Sequence, residues 1–362
     1  MEIVQFGLIG GGWRAEFYLR IARALPERFR VVGAVLRDAA KAAAFGARWG
    51  VPTFPTPEAL LDATAPEFVV TSVPRDANPA ILTVLAARGV PALSETPPAN
   101  GLEDLCRVWA LAEAGARIQV AEQYAYQPHH AARLACVASG RLGSVSQVQV
   151  SVAHGYHGLS LLRRFLGVRG EAARITARRF SAPLVGGPGR GGPPAEERLT
   201  TSQQTIAWLD FGDRLGVYDF DGAQYFSWVR GQRLLVRGDR GEVIDERARY
   251  LLSYREPMEA SFERLVAGAN GNLEGMYLKG IALAGEWLYR NPFAPARLTD
   301  EEIAVAAVLD GMARYVAGGP DVYSLAEACQ DRYLDLVLTQ AAESGETLET
   351  EPQPWSEALA EG

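Results

Sequence analysis

Lysine is nearly missing from this chain. Of its 36 lysines and arginines only Lys41 and Lys279 are lysine, so chemistry that needs a titratable amine has two places to find one. Cysteine is also scarce. Cys106, Cys136 and Cys329 lie far apart with no CxxC pairing, which argues against a disulfide frame or a thiolate zinc site and fits buried thiols in a reducing cytosol. Excess positive charge is absent, the formal net charge being −7, and that weighs against a phosphate backbone as partner. No apolar run is long enough to cross a bilayer. The chain opens on a strand-like run, Ile3 to Ile9, with no basic leader before it. The expectation is a cytoplasmic protein with no membrane or nucleic-acid partner.

What is present is an ordinary globular mixture of 48% hydrophobic and 22% charged residues over 362 positions, enough for two cores. Short apolar runs at Val4–Ile9, Val31–Val35, Phe68–Val73, Pro91–Ser94 and Ile118–Val120 alternate with helix-period segments at Arg14–Ala24, Ala39–Trp49, Asn78–Arg88 and Leu102–Ala114. That alternation predicts a parallel sheet of βαβ units. After Pro128 one more helix runs to about Ser139. Strand-like stretches then follow at Ser146–Ala153, Ala173–Phe180, Gln203–Leu209, Leu215–Phe220, Tyr225–Arg230, Leu234–Val236 and Glu242–Ile244, with helical periodicity resuming at Leu278–Tyr289, Asp300–Val316 and Ser324–Ala342. The fold class read from this order is α/β: an N-terminal Rossmann parallel sheet plus a C-terminal α+β domain with a large, mostly antiparallel open sheet. The boundaries predicted are residues 1–124 for the first domain, 125–345 for the second, and a loosely ordered acidic tail at 346–362.

Gly10-Gly11-Gly12-Trp13-Arg14-Ala15 follows the first strand and opens the first helix, matching G-x-G-x-x-A. Gly10 allows the tight turn, Gly12 leaves room for a pyrophosphate, and Ala15 lets the helix pack close to the sheet. At the end of the second strand, Val35-Leu36-Arg37-Asp38, an acidic side chain would bind the ribose hydroxyls of NAD and an arginine the extra phosphate of NADP. Arg37 tilts the reading from NAD towards NADP, against a solvated arginine on the rim.

These residues, with Val69–Pro74, Ser94-Glu95-Thr96-Pro97-Pro98, Val120–Pro128, Ser139–Val145 and His157 to Gly167, resemble the family named for glucose–fructose oxidoreductase, inositol dehydrogenase and MocA. The resemblance implies an NAD(P)-dependent oxidoreductase of sugars, polyols and related small molecules, forming a homodimer or homotetramer through its C-terminal sheet. It also implies dinucleotide contacts from Gly10, Gly12, Trp13, Arg14, Ala15, Arg37, Pro74, Glu95 and Pro97. Two departures stand out. The family's Glu-Lys-Pro reads Glu95-Thr96-Pro97 here, so the lysine beside the nicotinamide is replaced by a hydroxyl. The family's aspartate four residues before a histidine is Ala153, with His157 retained, and Ser160 stands where another aspartate is common. Losing one positioned acid–base group costs about 10²–10⁴-fold in rate.

The remaining candidates are few. All four histidines, His129, His130, His154 and His157, fall in one short stretch, and His157 is the candidate acid or base, its ordinary pKa of about 6.5 suiting that role. The other reading is a histidine holding a helix start. Thr96 can hydrogen-bond a substrate, and Tyr124 or Tyr126 can donate a proton or simply pack. Glu95 and Glu122 lie at strand ends as possible carboxylate partners. No metal set is complete. The Gly- and Pro-rich segment from Ser181 to Arg198 reads as a closing loop or a plain connection, Lys279 as a neighbour of the glycine-rich turn 268–275, and Trp208, Trp228, Tyr218 and Tyr225 as core or subunit interface. Three functions remain open: an oxidoreductase of altered mechanism, a nicotinamide-nucleotide sensor or scaffold without turnover, and a lyase or glycosidase with transient oxidation.

Overall fold

The computed structural model describes residues 3–269 and 272–361. The chain divides into two compact units, one of residues 1–128, 264–280 and 290–329, the other of residues 129–263, 281–289 and 330–362. The two cores are interleaved along the chain, whereas the sequence reading drew one break after residue 124.

The first unit begins with β1 (Val4–Ile9), α1 (Ala15–Ala24), β2 (Phe29–Val35), α2 (Ala39–Trp49), β3 (Thr53–Phe54), α3 (Pro57–Ala63), β4 (Phe68–Thr71), α4 (Asn78–Ala87), β5 (Ala92–Ser94), α5 (Leu102–Glu113) and β6 (Ile118–Val120). The strands pair in parallel in the order β3-β2-β1-β4-β5-β6, the doubly wound order in which ligands sit beyond the carboxyl ends of the strands. Helices on both faces explain the continuous apolar runs, with Phe6, Leu8, Phe68, Val69 and Val70 fully buried. Helix α1 turns Ala15, Tyr18, Leu19 and Ile21 inward at helical spacing. The short pair β3 and α3 was absent from the sequence reading; Thr56 caps α3 by accepting from Ala59 N at 3.2 Å.

The chain continues with α6 (Pro128–Ala138), β7 (Val145–Ser151), α7 (Gly155–Leu166), β8 (Arg174–Val185), β9 (Leu199–Asp210), β10 (Leu215–Asp221), β11 (Arg233–Gly238), β12 (Gly241–Ile244), β13 (Arg247–Ser253), β14 (Glu256–Ala269), β15 (Asn272–Leu283) and β16 (Glu286–Arg290). Then come α8 (Asp300–Val316), α9 (Leu325–Ser344), β17 (Thr347–Glu349) and α10 (Ser356–Glu361). The second sheet has the order β16-β15-β14-β13-β12-β11-β7-β10-β9-β8-β17, and from β14 to β17 along that order its pairings are antiparallel except where β10 runs parallel to β7. Within the second unit α7 packs on β7 and β10, and the buried ion pair of Arg163 with Asp331 at 2.6 Å fixes α7 against α9.

Three expectations are corrected. Leu278–Tyr289, read as helical, is the end of β15, a two-residue turn and β16. Tyr225–Arg230, read as a strand, is the end of a 3-10 turn followed by irregular chain, with Trp228 74% exposed. The tail, read as loose, carries β17 and α10, and Trp355 within it is fully buried. The tip of the turn 268–275, at residues 270 and 271, lies outside the described residues. Among the described residues no helix is long and apolar enough to cross a membrane, and no cluster of three or more His, Cys, Asp or Glu stands ready for a metal.

Candidate functional site

The glycine turn sits at the carboxyl end of β1. Gly10 has φ +114°, and a Cβ there would lie 2.0 Å from the Ser72 carbonyl oxygen, so only glycine fits. Its N–H donates to Val35 O at 3.0 Å, which ties the turn to β2. At Gly12 an added Cβ would meet no atom within 4 Å, so that position opens outward. Ala15 is fully buried against the sheet, and no side chain caps the amino end of α1. Bare backbone N–H groups and the positive end of a helix dipole are the donor set a diphosphate needs.

The side chains that follow the turn are arranged differently from a set of phosphate ligands. Trp13 is 52% exposed and leans edge-on against Phe17, ring centres 5.5 Å apart. Arg14 turns inward. Its Nε donates to Glu95 Oε1 at 2.8 Å and its Nη1 to Glu301 Oε1 at 2.7 Å. Tyr18, one turn along α1, donates its hydroxyl to the same Glu95 oxygen at 2.5 Å. Burial alone would depress the Arg14 pKa; the charges of Glu95, Tyr18 and Glu301 outweigh it and hold the guanidinium above its ordinary value. Burial, then the Glu95 carboxylate, pushes the Tyr18 phenol well above its ordinary range. Glu301 also accepts from Gln123 Nε2 at 2.9 Å and Gln127 Nε2 at 2.7 Å.

Glu95, Thr96 and Pro97 form the turn after β5, with a cis peptide between Thr96 and Pro97. Asn78, at the first position of α4, holds this turn from beneath. Its Nδ2 donates to Ser94 Oγ and to Pro98 O, both at 2.8 Å, while its Oδ1 accepts from Thr71 Oγ1 at 2.7 Å. Every member is buried or backbone, so the turn is fixed by satisfied polar groups. Pro74 is exposed beyond β4. Arg37 is exposed after β2, and the neighbouring Asp38 is committed to α2, its Oδ1 accepting from Lys41 N at 2.9 Å. Tyr124 is half-buried in a 3-10 turn, its N–H donating to Glu122 Oε1 at 3.1 Å.

His157 belongs to the second unit. It is 8% exposed in the first turn of α7, its N–H donating to His154 O at 3.0 Å and its ring edge-on to that of His154 at 4.9 Å. His154 Nδ1 lies 2.6 Å from Tyr225 Oη. A cavity of about 220 Å³ opens beside this helix end, lined by His154 and Gly155, by Tyr218 of β10 and by Asp335 of α9. Thus the dinucleotide candidates and Thr96 fall in the first unit and His157 in the second. Sequence reasoning missed Tyr18, Asn78, Glu301 and Asp335. Tyr18 stands four residues after Arg14 on one helix face, and Asn78 is polar ahead of an apolar helix, so both left a signal; Glu301 and Asp335 are distant in sequence and left none.

A parallel sheet in this order, with a glycine turn opening a helix at its centre, defines a dinucleotide-binding Rossmann protein. Residues 4–123 match the family model described as "Oxidoreductase family, NAD-binding Rossmann fold", GFO_IDH_MocA, which spans the first third of the chain. No curated protein matches the chain. Solved structures share the fold across nearly the whole length. An oxidoreductase from Agrobacterium radiobacter, in complex with NAD+, L-tartaric acid and magnesium, is 18% identical with TM-score 0.66, over 96% of this chain and 98% of that one. Levoglucosan dehydrogenase in complex with NADH is 14% identical with TM-score 0.69, over 97% and 100%. The WlbA dehydrogenase from Bordetella pertussis, in complex with NADH and UDP-GlcNAcA, is 16% identical with TM-score 0.64, over 98% of each chain.

Proposed function

We propose that the protein is an oxidoreductase that binds NADP in preference to NAD and acts on a small hydroxyl or carbonyl compound of the sugar and polyol class. The observation that carries this reading is the phosphate turn, with glycine obligatory at 10 and open space at 12 before an uncapped helix. Gly10, Gly12 and the first N–H groups of α1 would hold the pyrophosphate, with Pro74, Pro97 and Trp13 around it. Arg14 and Glu95 serve from below by fixing one another. Asp38 has one carboxylate oxygen engaged in capping α2, while the exposed Arg37 suits a 2′-phosphate. A nicotinamide dinucleotide bound there supplies the hydride acceptor or donor. His157 is the group assigned to take or give the proton, and Thr96 and Tyr124 to hydrogen-bond the reacting molecule. The same reading assigns the exposed Phe180, Ile206 and Trp208, which share one face of β8 and β9, to self-association as a dimer or tetramer in the cytoplasm.

Replacement of the family's lysine by Thr96 favours a second reading, a nucleotide sensor that binds without turnover. One experiment separates the two. Fluorescence titration with NADH and NADPH is followed by a screen of sugar-derived carbonyls under saturating NADPH. Tighter binding of NADPH is expected, and Arg37→Asp should reverse the preference by about ten-fold, the effect of one charge-assisted hydrogen bond. Binding with no oxidation of NADPH across the screen would give the sensor reading. No binding of either nucleotide overturns both.

A further inference from the structure

The two ends of the second sheet are finished differently. At one end the short β17 lies against β8. At the other stands β16, whose outer edge meets no strand among the described residues. Unpaired N–H and C=O groups along such an edge are a template for another chain, and proteins commonly blunt them with proline, lysine or other charges. β16 reads Glu286-Trp287-Leu288-Tyr289-Arg290, with neither proline nor lysine. Its charges stand only at the two ends and are opposite in sign.

That order of side chains is its own complement. Paired antiparallel with a second copy about a two-fold axis at Leu288, Glu286 stands opposite the partner's Arg290, Trp287 opposite the partner's Tyr289, and Leu288 opposite itself. Directly opposed side chains share a face, where opposite charges and aromatic pairs are favourable and like charges are not. Other arrangements lose this match. A slip of one residue sets Glu286 against the partner's Tyr289, and a parallel pairing in register sets Glu286 against Glu286 and Arg290 against Arg290. The carboxylate is also held ready: Glu286 is 67% exposed while its Oε2 accepts from Arg141 Nη2 at 2.5 Å. Arg290 is exposed as well, and the three residues between them are half-buried.

We propose that β16 is a docking edge for β16 of a second copy of this chain, joined antiparallel about Leu288 so that the two sheets run on as one. This surface is separate from the face that carries Phe180, Ile206 and Trp208, which belongs to β8 and β9 near the far end of the sheet, and it does not depend on the oxidoreductase reading. Five residues span about 17 Å, short of a standard interface, so the dimer is weak and concentration-dependent. Cross-linking reads the register. Leu288→Cys in the full-length protein, oxidised with diamide, should run as a disulfide-linked dimer on a non-reducing gel, because residue 288 alone meets its own copy. Tyr289→Cys, which faces the partner's Trp287, should not, nor should wild type with its three native cysteines. Sedimentation velocity over a concentration series reads the charges. Glu286→Arg and Arg290→Glu should each weaken self-association about ten-fold or more, since each sets like charges opposite one another. An equimolar mixture of the two variants should restore it, every opposed end then being one acid and one base, and that restoration also shows both variants folded. Dimers formed through the Phe180 face would be indifferent to the mixing and would give no link at 288. A wild type monomeric at every concentration, a link at 289 as fast as at 288, or a mixture no more associated than its components overturns the proposal.

Discussion

At the scale of single residues, Glu95 accepts from Arg14 and Tyr18 at once, while Arg14 answers Glu301 as well, so four side chains from three parts of the sequence form one partly buried unit. The phenol is the member whose charge state can be followed. In the unfolded chain a tyrosine loses its proton near pH 10; in the fold, burial and then the adjacent carboxylate keep Tyr18 protonated well beyond that. Above about pH 10 the folded chain therefore holds a proton that the unfolded chain has released, and stability falls as pH rises. Urea unfolding between pH 8 and 11 should show that alkaline loss. Tyr18→Phe should be less stable at pH 8, through loss of the donor to Glu95, and should lose less on going to pH 11. An identical pH slope in the two proteins would mean that the fold does not hold the Tyr18 proton.

At the scale of elements, the turn joining β15 to β16 shows both a liability and the way the sequence misled. Ala284 and Gly285 have φ of 51° and 82°, the paired positive values a two-residue hairpin loop requires. Glycine adopts them freely; alanine in the left-handed region costs about 1–2 kcal/mol. Position 284 is exposed, so Ala284→Asn should stabilise the second unit by about 1 kcal/mol, read as a higher urea midpoint at unchanged slope. No gain would put the strain of this turn in doubt. The same segment was read as a helix because Leu278, Ile281 and Ala282 are apolar at helical spacing. Burial of Leu278, Gly280, Ile281, Ala282 and Leu283 reflects a covered strand, which periodicity alone does not separate from a helix. The parallel sheet of the first unit was legible for the opposite reason: its helices are long enough to show their period and its strands short and bounded by Gly or Pro. In the candidate site, the need for glycine at position 10 was legible because the tight turn there restricts the backbone locally. Arg14 was not, since its partner Glu301 is 287 residues away and no local pattern distinguishes an inward guanidinium from one that meets a phosphate.

At the scale of the whole molecule, the tail decides how the second unit is closed. Its acidic, Pro-containing composition suggested loose chain, but composition is silent on what one tryptophan can anchor. Trp355 is fully buried, its Nε1 donating to Gln330 Oε1 at 2.9 Å and its ring edge-on to Tyr333 at 6.5 Å. Thr350 exchanges two bonds with Ala173, at 2.8 and 2.9 Å, and β17 pairs with Arg174, Ile175 and Thr176 of β8, so the tail covers the start of what would otherwise be a bare sheet edge. A bare edge is a template for pairing between molecules. Removing the Trp355 side chain deletes the largest buried group of this region and leaves Gln330 without its donor, so Trp355→Ala should cost about 3–5 kcal/mol, measured by urea unfolding. A chain ending at Gly345 should lose at least as much and aggregate on concentration, because the outer edge of β8 is then open. Trp355→Phe, which keeps most of the volume and lacks only the N–H, should lose far less and stay monodisperse. If all three melt with the full-length protein, the tail is no part of the folded unit, and β8 is the true edge of the sheet.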